Sequence, residues 1–227
     1  MLVAEGAGTL ARLRASWRPL VAGACLVAGV ICLTFPVWSG WWTQHVQAVD
    51  AARFRQLAAA PVAPAAVSAA QSAPTPPVSV AASAPTGVGT VLAELQIPAI
   101  GVDQFVLRGL TYAPAVWERL LRDGPSHLAG SALPGQAGNM VIFGHLNIWG
   151  SVFYHLAEVR PGDVVHLVEP AGTYTYTVTS QESVAATDLA AVAPHHSGPA
   201  TIQLVTCESA FGNDRLVVVG RLTSSTP

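Results

Sequence analysis

The stretch Ala200–Leu222, ATIQLVTCESAFGNDRLVVVGRL, holds two β-branched runs joined by a short polar connection. The first run ends in Cys207 and the second opens on Arg215. Runs of Val, Ile, Leu and Thr bounded by Gly, Asn and Asp favour strands. Adjacent strands lie ~5 Å apart, so a connection of this length lets Cys207 and Arg215 point into one cleft. Upstream the same texture repeats: LAELQIP (Leu92–Pro98), VDQFVLR (Val102–Arg108), NMVIFG (Asn139–Gly144), DVVHLVE (Asp163–Glu169) and TYTYTVTSQ (Thr173–Gln181). Pro170-Ala171-Gly172 between the last two reads as a tight hairpin connection. Within this β-rich part, from about Val91 to Leu222, helices are few and short, expected over Ala115–Arg122 and Gly150–Val159. Short strands at this spacing, with no βαβ rhythm and no internal repeat, predict a compact β-barrel or sandwich of ~130 residues.

Cysteine usage points to chemistry within that domain. Cys25 and Cys32 fall in an apolar N-terminal segment, which leaves Cys207 alone in the β-rich part. A cysteine nucleophile needs a thiolate, a proton carrier for the departing amine and a positive group for the oxyanion. Cys207, His145 in Gly144-His145, and Arg215 offer one of each. Taken singly, each has a plain structural explanation: a buried small hydrophobe, a turn histidine, a solvated edge charge. Their coincidence in one small domain is what favours catalysis. His195-His196 lack a third ligand at metal spacing, so no metal is expected. No G-x-S-x-G and no phosphate-binding glycine loop occurs, and no cofactor is implied.

The rest of the 227-residue chain explains a composition of 51% hydrophobic and only 11% charged residues. No Asp, Glu, Lys or Arg stands between Pro19 and Val49. The run Pro19–Trp38 matches the ~20 residues that cross a bilayer as a helix, and Trp38, Trp41 and Trp42 mark a headgroup-level belt. Arg12, Arg14 and Arg18 precede the span, placing the N-terminus in the cytoplasm and the remainder outside. An uncleaved signal-anchor is favoured over a cleaved signal peptide, because the stretch exceeds a typical h-region and no prompt cleavage site follows. Gln44–Gln56 permits a short helical continuation. From there to Glu94 an uncharged Ala/Pro/Ser/Val/Thr segment cannot build a core and reads as an extended, disordered stalk. The expected divisions are 1–18 cytoplasmic tail, 19–42 transmembrane anchor, 43–90 stalk and 91–227 catalytic domain. A net charge of −2 gives no case for nucleic acid.

Five segments together resemble the sortase family: LQIPAIGVD (Leu95–Asp103), LPGQAGNMVIFGH (Leu133–His145), VFYHL…VRPGD (Val152–Asp163), QLVTC (Gln203–Cys207) and RLVVVGRL (Arg215–Leu222). The resemblance implies a mainly β fold, a closed eight-stranded sortase-type barrel with short helices. It implies a cysteine transpeptidase with Cys207 as nucleophile, His145 as general acid/base, Arg215 as oxyanion or positioning residue, and Thr206 assisting substrate. Expected partners are surface proteins with LPxTG-like sorting signals and an amine acceptor, either a peptidoglycan precursor or a pilin lysine. Expected localisation is a single-pass cell-membrane protein with its barrel extracellular. Two positions depart from the family pattern: Gln203, where Thr is common, and Leu146, where Arg often follows the His. Alternatives are a non-catalytic surface binding or adhesion domain, an L,D-transpeptidase, and a sortase-like hydrolase.

Overall fold

Strand β4 (Gly138–Phe143) is buried at every position, as the apolar run Met140–Phe143 requires. Both of its faces are covered because the sheet closes on itself and is wrapped outside. The computed structural model describes residues 5–59, 87–208 and 213–226. Seven further strands complete the barrel: β1 (Val91–Ile97), β2 (Val102–Leu110), β3 (Ser126–Leu128), β5 (Val164–Glu169), β6 (Gly172–Ala185), β7 (Ala200–Cys207) and β8 (Asp214–Thr226). Their order around the closed barrel is β1-β2-β3-β4-β7-β8-β6-β5. Pairing is antiparallel except for β2 with β3 and β4 with β7. The strand β6 bends through two register irregularities, at Thr175/Tyr176 and Val178/Ser180, which let one 14-residue strand curl around the wall.

Strand alternation sorts the apolar side chains into two layers. Met140, Ile142, Ile202, Leu204, Leu216 and Val218 fill the interior. Val141, Phe143, Val205 and Val217 face outward, beneath helix α2 (Pro114–Asp123), which contributes Leu120 and Leu121. Trp117 of α2 packs edge-on against Phe143 at 5.0 Å and stacks on Tyr112 at 5.6 Å. The expected hairpin at Pro170-Ala171 is present, with Glu169 opposite Gly172.

The N-terminal helix α1 runs from Glu5 to Ala59. Among the described residues it is the helix long and apolar enough to cross a membrane, its window having a mean hydropathy of 2.4. The stalk expected over 43–90 is helical through Ala59, and β1 opens at Val91. Residues 60–86 of that expected stalk lie outside the described residues. Beyond the apolar span, Ser39, Thr43, Gln47, Asp50 and Phe54 are buried at three- and four-residue spacing, one face of the helix. Gln47 anchors that face: its Oε1 accepts from the Phe105 N–H at 2.6 Å, and its Nε2 lies 3.2 Å from the Phe105 carbonyl and 3.1 Å from the Asp123 carbonyl. It thus fills hydrogen bonds of β2 just before β3 takes over as that strand's partner at Leu107.

The helix expected over Gly150–Val159 shrinks to one 3-10 turn, Leu156–Glu158. Trp149 and Ser151 hold φ of 49° and 48°, and Gly150 holds 78°, a left-handed run that cannot start a right-handed helix. His127 lies in β3 and is buried.

Candidate active site

Cys207 is the last residue of β7 and Arg215 the second of β8, and the two are direct partners in the antiparallel register. The next bond along, from the Glu208 N–H to the Asp214 carbonyl at 3.1 Å, makes them a non-hydrogen-bonded pair. Opposed side chains share a face and approach most closely in such pairs. Both are half-buried, on the outward face that also carries Val205 and Val217. The guanidinium Nη1 donates to the Asp214 carbonyl at 3.3 Å. On its other side Arg215 is paired with Val184 of β6.

His145 arrives from the opposite flank of β7. The last registered pair of the parallel β4–β7 ladder is Phe143 with Val205, sealed by the Gly144 N–H donating to the Val205 carbonyl at 3.0 Å. Two residues further along each chain stand His145 and Cys207. Gly144 is required by close approach: a Cβ there would lie 2.6 Å from Phe153 Cδ2 and 2.8 Å from Val152 Cγ1. Phe153 also donates its N–H to the His145 carbonyl at 3.0 Å, tying the following loop back over the histidine. Burial pushes the His145 pKa down to about 4, so its ring is neutral at physiological pH. Its Nε2 is buried and has no hydrogen-bond partner among the described residues.

Thr206 faces the other way. Adjacent strand residues point to opposite faces, and Thr206 is only 2% exposed, on the interior side with Leu204. Its Oγ1 has no hydrogen-bond partner among the described residues. The structure therefore gathers Cys207, Arg215 and His145 around the ends of three neighbouring strands and places Thr206 behind them.

Beside Arg215 opens a cavity of about 230 Å³, lined by Tyr112, Trp117, Phe143, Val184, Leu189, Val192 and Val205 among others. One wall is the connection between β6 and β7, with its 3-10 turn Leu189–Val192. Gln203 and Asn139 hold that wall. Asn139 Nδ2 donates to Gln203 Oε1 at 3.0 Å and to the Ala193 carbonyl at 3.1 Å, while its Oδ1 accepts from the His195 N–H at 2.8 Å. Gln203 Nε2 donates to the Ala191 carbonyl at 3.3 Å. Sequence reasoning assigned Asn139 no role, since its partners lie more than fifty residues away. His195 and His196 are exposed in the same connection.

Comparison with known proteins agrees with this geometry. The sortase-domain family model matches residues 95–223, more than half of the chain. Sortase A of Bacillus anthracis is 28% identical over 137 residues, covering 60% of this chain and 61% of that relative, so the match spans less than two thirds of its length. The solved sortase E of Streptomyces avermitilis superposes with a TM-score of 0.54 at 28% identity, covering 62% of this chain and 93% of that one. The Clostridium perfringens sortase D5 transpeptidase gives 0.54 at 25%, covering 61% and 82%. With a closed eight-stranded barrel that brings one cysteine, one arginine and one histidine together, the chain belongs to the sortase family.

Proposed function

We propose that this chain is a membrane-anchored cysteine transpeptidase that cleaves an LPxTG-like C-terminal sorting signal and transfers the new C-terminus to an amine. The observation that carries the reading is the registered Cys207–Arg215 pair with His145 on the adjoining strand end. Cys207 Sγ attacks the scissile carbonyl carbon, and Arg215 offers its planar set of donors to the developing oxyanion. As the C–N bond breaks, His145 gives a proton to the departing amine, leaving a thioacyl-enzyme. The acceptor amine, from a peptidoglycan precursor or a pilin lysine, attacks that thioester carbonyl, loses a proton to His145 and expels the thiolate. Because burial keeps the His145 ring neutral at pH 7, the proton-loaded state is a small fraction of the free enzyme.

Thr206, buried behind the nucleophile, acts in this reading by setting the Cys207 backbone rather than by touching substrate. The apolar cavity beside Arg215 suits the aliphatic part of a sorting peptide. The apolar span of α1 is the anchor, with the arginines before it cytoplasmic and the barrel on the outer surface. Residues 1–18 form the tail, 19–42 contain the span, the Pro-rich segment acts as a tether and 91–227 is the catalytic unit.

The test is the full-length chain in detergent, incubated with LPxTG-like peptides with and without an added amine, followed by mass spectrometry. A thioacyl adduct on Cys207 and amine-linked product support transpeptidation. Adduct with only hydrolysed product makes the chain a hydrolase. Absence of any adduct, with Cys207 inert to alkylating reagents, leaves a binding domain.

A further inference from the structure

The barrel meets helix α1 where the apolar span ends. Side chains from Leu20 to Val37 are exposed, and burial against the barrel starts at Ser39. At that level Phe35 and Trp38 pack edge-on against Trp149, at 5.4 and 5.6 Å, in the loop that follows His145. Trp149 sits there despite its left-handed backbone, a conformation that the surrounding contacts must hold. Tryptophans at the end of a span lie among lipid headgroups. The His145 loop and the C-terminal end of α2 are therefore at headgroup depth.

A cavity of about 390 Å³ opens at that level, lined by Ala115, Glu118, Arg119 and Arg122 of α2 and by Trp149. The Arg122 guanidinium lies over two indoles, 5.4 Å from the Trp42 ring and 6.0 Å from the Trp149 ring. Its Nε donates to Asp123 Oδ1 at 3.2 Å, which leaves the two terminal amino groups for another acceptor. Arg119 is exposed and has no ion pair or hydrogen bond among the described residues. Glu118 on the same rim is an acceptor for a hydroxyl or ammonium group.

We propose that this cavity binds the headgroup of an anionic membrane phospholipid, its phosphate between Arg119 and Arg122 and its hydroxyls toward Glu118. Arginine matches phosphate with paired donors, and a site at the membrane surface meets this ligand at high local concentration. The bound lipid would hold the barrel down on the bilayer, with the loop after His145 against the surface. The inference rests on the anchor reading of α1 in the preceding section.

Native mass spectrometry of the full-length chain, released from detergent with phosphatidylglycerol or phosphatidylcholine, tests it. One retained phosphatidylglycerol per chain is expected, with phosphatidylcholine retained less, and Arg119→Gln weakening retention about tenfold. Equal retention of the two lipids, no change in Arg119→Gln, or displacement by millimolar inorganic phosphate overturns it. Arg119 is on the surface, so the variant keeps the parent melting temperature. Ile148→Cys, labelled with a fluorophore in a chain whose native cysteines are serine, adds an independent reading in vesicles. Quenching by headgroup nitroxides is expected, and none overturns the placement. Flotation of the chain with vesicles after alkaline washing separates the two ideas. A chain that does not float defeats the anchor, whereas a floating chain without lipid preference defeats only the headgroup site.

Discussion

Asn139 on β4 and Gln203 on β7 are joined side chain to side chain at 3.0 Å, and together they hold the connection that walls the cavity beside Arg215. The residue that departs from the family pattern at the start of QLVTC thus has a structural use. Its amide spans from Asn139 to the Ala191 carbonyl, a reach that the shorter Thr side chain lacks.

Replacing Gln203 by Thr should therefore loosen the Leu189–Val192 wall while leaving the cysteine in place. The expected result is a several-fold rise in KM for a sorting peptide with kcat little changed. Asn139→Ala removes more partners from a buried position and should also cost about 1–3 kcal/mol of stability. Steady-state kinetics on a peptide panel and denaturant titration read the two effects separately.

Arg215→Lys keeps the charge but loses the planar fork opposite Cys207. A loss of about 10²–10³-fold in kcat/KM is expected for a residue aimed at the oxyanion. Activity within a factor of two of the parent removes Arg215 from that role. Cys207→Ala should abolish turnover with the melting temperature nearly unchanged, because its side chain is half-buried and small.

Gly144→Ala drives a methyl into Phe153 and Val152. A cost of about 1–3 kcal/mol is expected. Because the Phe153 N–H holds the His145 carbonyl, turnover should fall further than stability alone explains. Single-turnover acylation at a temperature where the variant is fully folded checks this.

The pKa of His145 is lower in the folded chain, about 4, than its usual value near 6.5. Protons therefore bind the unfolded chain more readily. Stability is fully present above about pH 6.5 and is lost progressively as pH falls toward and through 4. Burial lowers the His127 pKa as well, so both histidines act in the same direction. Burial raises the pKa values of Asp50, Glu94 and Glu169, which act in the opposite direction. The histidine contribution is therefore read by difference: between pH 8 and 4.5 the melting temperature of His145→Gln should fall less than that of the parent.

Much of the barrel was legible in the sequence because its strands are written as β-branched runs closed by Gly, Pro and Asn. The Cys207–Arg215 pair was legible too, since a short connection folds one onto the other. The approach of His145 to Cys207 was not written in spacing, because β4 and β7 pair in parallel and are distant in the chain. The chemistry of the residue types grouped them, and the resemblance of the segments ending in Gly144-His145 and Thr206-Cys207 supported that grouping. The docking face of α1 was hidden for another reason. Ser39, Thr43, Gln47 and Asp50 are polar, so no apolar stripe announces contact, and part of the attachment runs through hydrogen bonds from Thr43 and Gln47 to backbone groups of the barrel and α2. The turns at Trp149 and Ser151 were hidden because ordinary side chains there adopt a backbone usually reserved for glycine.

Gln47 has a practical consequence for stability. Gln47→Ala leaves the Phe105 N–H without its acceptor and should cost about 1–3 kcal/mol. Hydrogen exchange at Phe105 should accelerate in step, which separates loss of this clamp from a general loosening.

The parallel pairing of β4 with β7 also governs when reactivity appears. Parallel neighbours cannot form through a local hairpin, so the strand ends bearing His145 and Cys207 meet only after the intervening chain has folded back. A chain whose β7 has yet to reach β4 carries the thiol and the imidazole but no neighbourhood that holds both. The thiol thus comes beside the imidazole only when the wall of the barrel closes.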